Sequence, residues 1–156
     1  MPNKKSKPTK QRKQKSKPKN WKLKADNLWS LIIRKHYQRC EICDRPGKKT
    51  KSGFKIGGLI AHHLISRGIL LWRHNLRNGV CLCTYCHLFH KTCSPHGGTI
   101  TAMRGFMKWM EENKPKQWAW FEEHELEHRT PKYTYEETAK YLQEKLNNNS
   151  LPPYDV

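Results

Sequence analysis

The residues of this 156-residue chain that could do chemistry fall into two interleaved sets. One set is thiols: Cys40-x-x-Cys43 and Cys83-x-x-Cys86, two pairs of identical spacing with 39 residues between them. The other is imidazoles. His62 and His63 stand side by side in "LIAHHLISRG", His87 directly follows the second thiol pair, and His90 comes three residues later. A C-x-x-C turn presents two thiolates at the spacing of two corners of a tetrahedron, and two such turns complete a closed structural zinc site. Unrelated cysteine pairs and a redox C-x-x-C are the other readings. Matched pairs in a chain expected in a reducing compartment favour structural Zn2+ on Cys40, Cys43, Cys83 and Cys86. On a strand, neighbouring side chains leave opposite faces, so His62 and His63 can serve one site only by doing different jobs in it.

These groups need elements to hold them. Leu28, Leu31, Ile32 and Ile33 form an apolar stripe that predicts a helix of about three turns from Asp26 to near Arg39. "GFKIGGLIAHHLIS" reads as β structure after a Gly/Lys-rich turn at residues 46–53, and "VCLCTYCHLFHK" as a short strand feeding a helix that starts at Cys83. Cys81 alternates with Cys83 and reads as a small buried hydrophobe; Cys93 has no assignment. Beyond residue 99 the chain reads as helical. Ile100, Met103, Phe106, Met107 and Met110 recur at helical spacing, and Pro115 can open the next helix, with Trp118, Phe121 and then Leu126. Thr134 with Glu137 makes a capping box for a last helix carrying Ala139, Leu142 and Leu146.

Charge divides the chain differently. Of the formal net charge of +18, residues 1–24 supply eleven Lys/Arg and no acid, while residues 111–156 hold six bases against ten acids. A basic field of this strength concentrates a polyanion, and nucleic acid is the default one. The first 24 residues are low-complexity Lys/Pro/Ser/Gln sequence and are expected to be a disordered basic arm. No segment is apolar enough for a membrane span or a signal peptide, so no membrane partner and a cytoplasmic location are expected.

Taken in order, His62-His63, Asn78 and C-x-x-C-His87 resemble the HNH nuclease family over roughly residues 38–92. That resemblance implies a ββα-metal fold, a β-hairpin packed on one helix around a catalytic divalent ion, set within a zinc-bound treble clef. The family's colicin DNases also carry a His-His pair at the strand end. By resemblance, His62 is a metal ligand, His63 the general base, Asn78 the residue that holds the strand loop and orients the base, and His87 the metal ligand from the helix. Colicin-type sites place another histidine four residues after the helix ligand. Lys91 stands there in this chain, and His90, one residue earlier, is a candidate third ligand, with phosphate binding or facing away as the alternatives. Phosphodiester hydrolysis needs an activated water and charge neutralisation, which a neutral imidazole and a divalent ion (Mg2+ or another) suit. Arg67, Arg73 and His74 in the connecting loop could grip flanking phosphates or be plain solvated charge.

A broader likeness spans residues 25–147. The helix before the first thiol pair, "AHHLISRG", "LRN" and the helical end in "YTYEETAKYLQEKL" are similar to the phage NinG/Rap family, which recognises Holliday junctions and D-loops. In that family Asn stands in the place of His87. The expectation is an α+β chain: a basic arm (1–24), a zinc-bound treble-clef nuclease domain (25–98) with a preceding helix, a helical extension (99–147) and a flexible tail (148–156). Its expected activity is metal-dependent DNA cleavage, with branched recombination intermediates as a candidate substrate and a homodimer left open. A non-catalytic zinc-dependent nucleic-acid-binding module and an RNase on the same scaffold are the alternatives.

Overall fold

The computed structural model describes residues 20–49 and 56–148. The expected arm as far as residue 19, residues 50–55 of the turn region and the tail from residue 149 lie outside the described residues. Within them the fold is mixed α+β, with five α-helices and two two-stranded antiparallel sheets.

The first helix, α1 (Trp21–Tyr37), starts earlier than Asp26 because Asn20 caps it, its Oδ1 accepting from Leu23 N at 3.0 Å. Residues 21–24, expected from the sequence to belong to the arm, are part of this helix. Arg34, Lys35 and His36 sit in the last turn, where the helix dipole favours cations. The helix then stops at Gln38, which takes a left-handed conformation at φ +56° and donates its N–H to Arg34 O. Its buried side chains, Ala25, Leu28, Trp29, Ile32 and Ile33, recur every three or four residues and so form one face.

Two short strands, β1 (Lys48–Lys49) and β2 (Ile56–Gly57), pair across the turn region. The hairpin that matters is β3 (Leu59–His63) against β4 (Gly79–Cys83), in a register running from Leu59 opposite Cys83 to His63 opposite Gly79. Every residue of β4 is buried. A Cβ on Gly79 would stand 2.5 Å from Ile33 Cδ1 and force that side chain to move, so α1 lies directly over the start of the strand. A 3-10 turn, Leu76–Asn78, leads into β4, and the strand feeds α2 (Thr84–Leu88), N-capped by Cys83 as its spacing predicts. Cys81 is fully buried, and burial followed by its neighbour Glu41 pushes its thiol up to about 12, which fits the hydrophobe reading.

The remaining helices are α3 (Ile100–Asn113), α4 (Pro115–His124) and α5 (Tyr135–Asn147). The capping box forms as read: Glu137 N donates to Thr134 Oγ1 at 3.2 Å, and Glu137 Oε2 accepts from Thr134 N at 2.7 Å. Ala139 and Leu142 of α5 join the α1 face and β4 in one core. Phe106 and Met110 of α3 belong to the same core. Truncating fully buried Leu142 to Ala should cost about 2–5 kcal/mol. The methionines divide: Met110 is buried, whereas Met103 and Met107 are exposed on the same helix. Leu126 lies past the end of α4 and is exposed.

Candidate functional site

Four sulfurs converge where the first C-x-x-C turn meets the start of α2. The Sγ atoms of Cys40, Cys43, Cys83 and Cys86 all lie within 4.8 Å of one another, and the Cys43–Cys83 separation is 3.7 Å. A tetrahedral zinc with Zn–S bonds of about 2.3 Å sets its sulfurs about 3.8 Å apart, so the residues fit the ion. Three of the four cysteines are buried and Cys43 is exposed. Burial raises the Cys40 and Cys86 thiols. Burial also opposes ionisation of Cys83, but the N–H of Cys86, donating to its sulfur at 3.4 Å, and the neighbouring thiols outweigh it, so that thiol is lowered. Glu41, inside the first C-x-x-C, accepts from Cys81 N at 2.7 Å and pairs with Lys114 Nζ at 2.8 Å, which ties the turn to β4 and to the α3–α4 junction.

The imidazoles converge on the other side of α2. Cys86 and His87 are consecutive, about 100° apart around the helix, so one turn feeds both clusters. His87 Nε2 lies 3.3 Å from His62 Nδ1, and one nitrogen each from His62, His87 and His96 falls within 4.8 Å of the others. Two imidazoles on one tetrahedral ion at bonds of about 2.0–2.1 Å would hold their nitrogens about 3.3–3.4 Å apart. The three rings meet edge to face, with centroids 4.8–5.2 Å apart. Burial, then repulsion from its histidine neighbours, lowers His62 to about 3, and burial and His96 lower His87 to about 4. Both rings are neutral at pH 7, with lone pairs free for a metal.

His96 is the third member, not His90. The chain leaves α2 after Leu88, and His90 turns to its own loop, its Nδ1 accepting from Cys93 N at 3.1 Å and weakly from Thr92 N at 3.4 Å. His96 is brought in by a built loop. Ser94, fully buried, donates its hydroxyl to His87 O at 2.8 Å, and His96 N donates to the same carbonyl at 3.3 Å. Helix α3 backs onto this loop so closely that a Cβ on Gly105 would stand 1.7 Å from Thr92 O. No periodic signal in "CSPHGG" marks His96; only its position after the loop could have drawn attention to it.

His63, across the strand from His62, faces a different environment, as the alternation of side chains requires. Its ring stacks on Trp29 at 3.8 Å and 14°, and its Nε2 lies 2.9 Å from Arg73 O. A carbonyl can only accept, so Nε2 carries the proton and Nδ1 keeps the free lone pair. Burial lowers His63 to about 4 against the opposing pull of that carbonyl. Asn78, fully buried, closes the 64–75 loop. Its Oδ1 accepts from Ile65 N at 2.6 Å, and its Nδ2 donates to Ile65 O at 2.9 Å and to Trp72 O at 3.0 Å. A second amide backs it up: Gln117 of α4, also buried, donates to the carbonyls on either side of Asn78, Arg77 O at 2.7 Å and Gly79 O at 2.9 Å.

The loop cations do not behave alike. Arg67 is exposed at the rim of a cleft of about 640 Å3 that the clustered histidines and His63 also line. Arg73 and His74 are instead buried against Asp26 of α1, and their reading as phosphate-gripping side chains is corrected on that ground. Arg73 donates to both carboxylate oxygens at 2.8 Å, and His74 Nε2 lies 2.7 Å from Oδ1. Burial alone would raise the Asp26 carboxyl, but its bonds to Arg73 and His74 hold it below the usual range. The far wall of the cleft is apolar, made by Met103, Phe106, Met107, Trp118 and Phe121.

The fold and site define a mixed α+β protein with a four-cysteine cluster and a three-histidine cluster, each able to hold a metal ion. No protein-family model, curated protein or solved structure matches the chain.

Proposed function

We propose that the protein is a metal-dependent endonuclease of the HNH type, hydrolysing phosphodiester bonds in DNA. The observation that carries this reading is the pairing of an open histidine cluster with His63, a neutral imidazole whose Nε2 is tied to a carbonyl and whose Nδ1 is free. An imidazole so arranged can take a proton from water in a cleft that also exposes a cluster of metal ligands. One divalent ion held by His62, His87 and His96 supplies charge neutralisation for the phosphoryl oxygens and the departing 3′-oxygen. Arg67 at the rim offers a bidentate grip on a neighbouring phosphate, and Asn78 holds the loop that orients the base. Three imidazoles suit zinc, nickel or a similar transition ion better than Mg2+, which prefers oxygen ligands. The four thiolates suit Zn2+, and with the β3–β4 hairpin leading into α2 they support the treble-clef ββα-metal reading. The net charge of +18 favours a nucleic-acid substrate, and the weaker full-length likeness extends the proposal to branched recombination intermediates such as Holliday junctions.

The test is cleavage of a panel of duplex, nicked, flap, four-way-junction and RNA substrates, with Mg2+, Mn2+, Ni2+ or Zn2+ added to chelator-treated protein. DNA cleavage should require the metal and fall about 10²- to 10⁴-fold in His63→Ala, with DNA binding retained. Binding without cleavage on every substrate would leave the non-catalytic module standing; cleavage of RNA alone would make the protein an RNase.

A further inference from the structure

Helix α1 lies outside the His-Asn-His motif, yet three consecutive residues of the 64–75 loop are tied to one of its faces. Asp26 and Trp29 stand one helical turn apart, so they share that face. Asp26 takes the guanidinium of Arg73 on both oxygens at 2.8 Å and the ring of His74 at 2.7 Å. Trp29 donates its Nε1–H to Asn75 O at 2.9 Å, and the same indole stacks under the His63 ring at 3.8 Å. The Arg73 side chain also reaches back to Arg67 O at 2.7 Å, closing the loop on itself. Between these anchors lies the Arg73 carbonyl, which meets His63 Nε2 at 2.9 Å. One helix face thus supports the ring from below and fixes the acceptor at its edge.

We propose that Asp26 and Trp29 are positioning residues for the general base. Trp29 sets the plane of the His63 ring, and Asp26, acting through Arg73, places the carbonyl that keeps the proton on Nε2 and leaves Nδ1 open. The role of His63 as the base rests on the nuclease reading above; its placement by α1 does not. Arg73 then serves the reaction through its backbone oxygen, and its cation is consumed by Asp26 rather than offered to phosphate. A bidentate carboxylate–guanidinium pair suits this task because its fork geometry fixes orientation as well as distance, which a lysine cannot reproduce.

The experiment compares the parent, Asp26→Asn and Arg73→Lys in the full chain. It reads the His63 ring by nitrogen-15 NMR, the affinity for duplex DNA, and the single-turnover cleavage rate at saturating enzyme on whichever DNA the parent cuts. The parent should show a single tautomer protonated at Nε2. Both variants should lose that uniform signature and cleave about tenfold to a hundredfold more slowly, the scale expected when a reacting group is displaced by about 1 Å. DNA affinity and the metal content of both clusters should stay at the parental value. A parental His63 signature and rate in both variants would overturn the proposal. So would Arg73→Lys losing DNA affinity while its His63 signature holds, because the guanidinium would then be a phosphate ligand. If Asp26→Asn does not fold, Arg73→Lys decides alone, since it keeps a cation beside the carboxylate. The ring signature needs no substrate. A parent that cleaves nothing therefore sinks only the nuclease reading, while the signature in the variants still decides the positioning.

Discussion

The two clusters lie on either side of one turn of helix and are built to opposite plans. The thiolate cluster has four ligands, three of them buried, and its spacing fills a tetrahedron without help. The histidine cluster has three, of graded exposure, and opens onto the cleft. Four ligands are the pattern of structural metal sites and three with an open position that of catalytic ones, and the proposed function assigns the two clusters accordingly. The contrast extends to the loops behind them. The thiolates come from two C-x-x-C turns whose geometry is local, whereas His96 reaches its partners only because Ser94 and α3 hold the loop that carries it.

That contrast can be broken most severely at the cysteines. Cys86→Ser or Cys40→Ser should abolish cooperative folding of the whole described region, since structural zinc supplies apparent binding free energy of about 10–16 kcal/mol in small zinc domains. The checks are bound zinc by elemental analysis and the urea unfolding transition. A metal-stripped protein that still unfolds cooperatively at the parental midpoint would remove the structural half of the comparison.

A smaller effect on the fold, and a larger one on chemistry, is expected at the histidines. His96→Ala should keep the thiolate zinc and a midpoint close to the parent's, because His96 is exposed and spends no buried polar bond on the core. It should weaken the second metal, read by calorimetric titration of chelator-treated protein, and reduce cleavage. His90→Ala should leave that titration unchanged, because His90 caps its own loop. Equal loss in both variants would mean that the two histidines exchange places on the ion.

The mildest test uses pH. His62, His63 and His87 have folded values of about 3, 4 and 4 because burial favours their neutral forms. In the unfolded chain they protonate near the ordinary value of about 6.5. As pH falls below that value the unfolded state binds the extra protons, so stability is full above about pH 6.5 and declines between there and about pH 4. The decline should be visible in urea midpoints of protein loaded only at the thiolates. Flat stability down to pH 4.5 would mean that the histidines are solvated and the cluster is not preformed.

Much of this architecture is written in short stretches. The paired C-x-x-C turns, the His-His step, the strand that delivers Cys83 to a helix start and the Thr134–Glu137 box depend on residues within a few positions of one another, where periodicity and capping chemistry act directly. The start of α1 was legible too, in Asn20 three residues before Leu23, but the charge run ahead of it hid the signal. The helical extension was legible in its spacing, but not that Ala139 and Leu142 share a core with the α1 face. Amphipathic spacing shows that a helix has an apolar face, not what that face meets.

Residue type and local spacing were thus enough to mark the four thiols and the His62–His87 pair as metal-ready, because thiolates and imidazoles at those intervals have few other uses. Which histidine completes the second cluster, and which cations remain free for a ligand, depended on contacts between distant segments. His96 displaces His90 because α2 ends at Leu88 and α3 presses the following loop back toward His87. Arg73 and His74 are withdrawn from solvent because a carboxylate 47 and 48 residues away, on a helix packed over β4, offers both a partner in a partly dehydrated site. A single sequence carries no local trace of such pairings, since their free energy arises only once the core has brought the segments together.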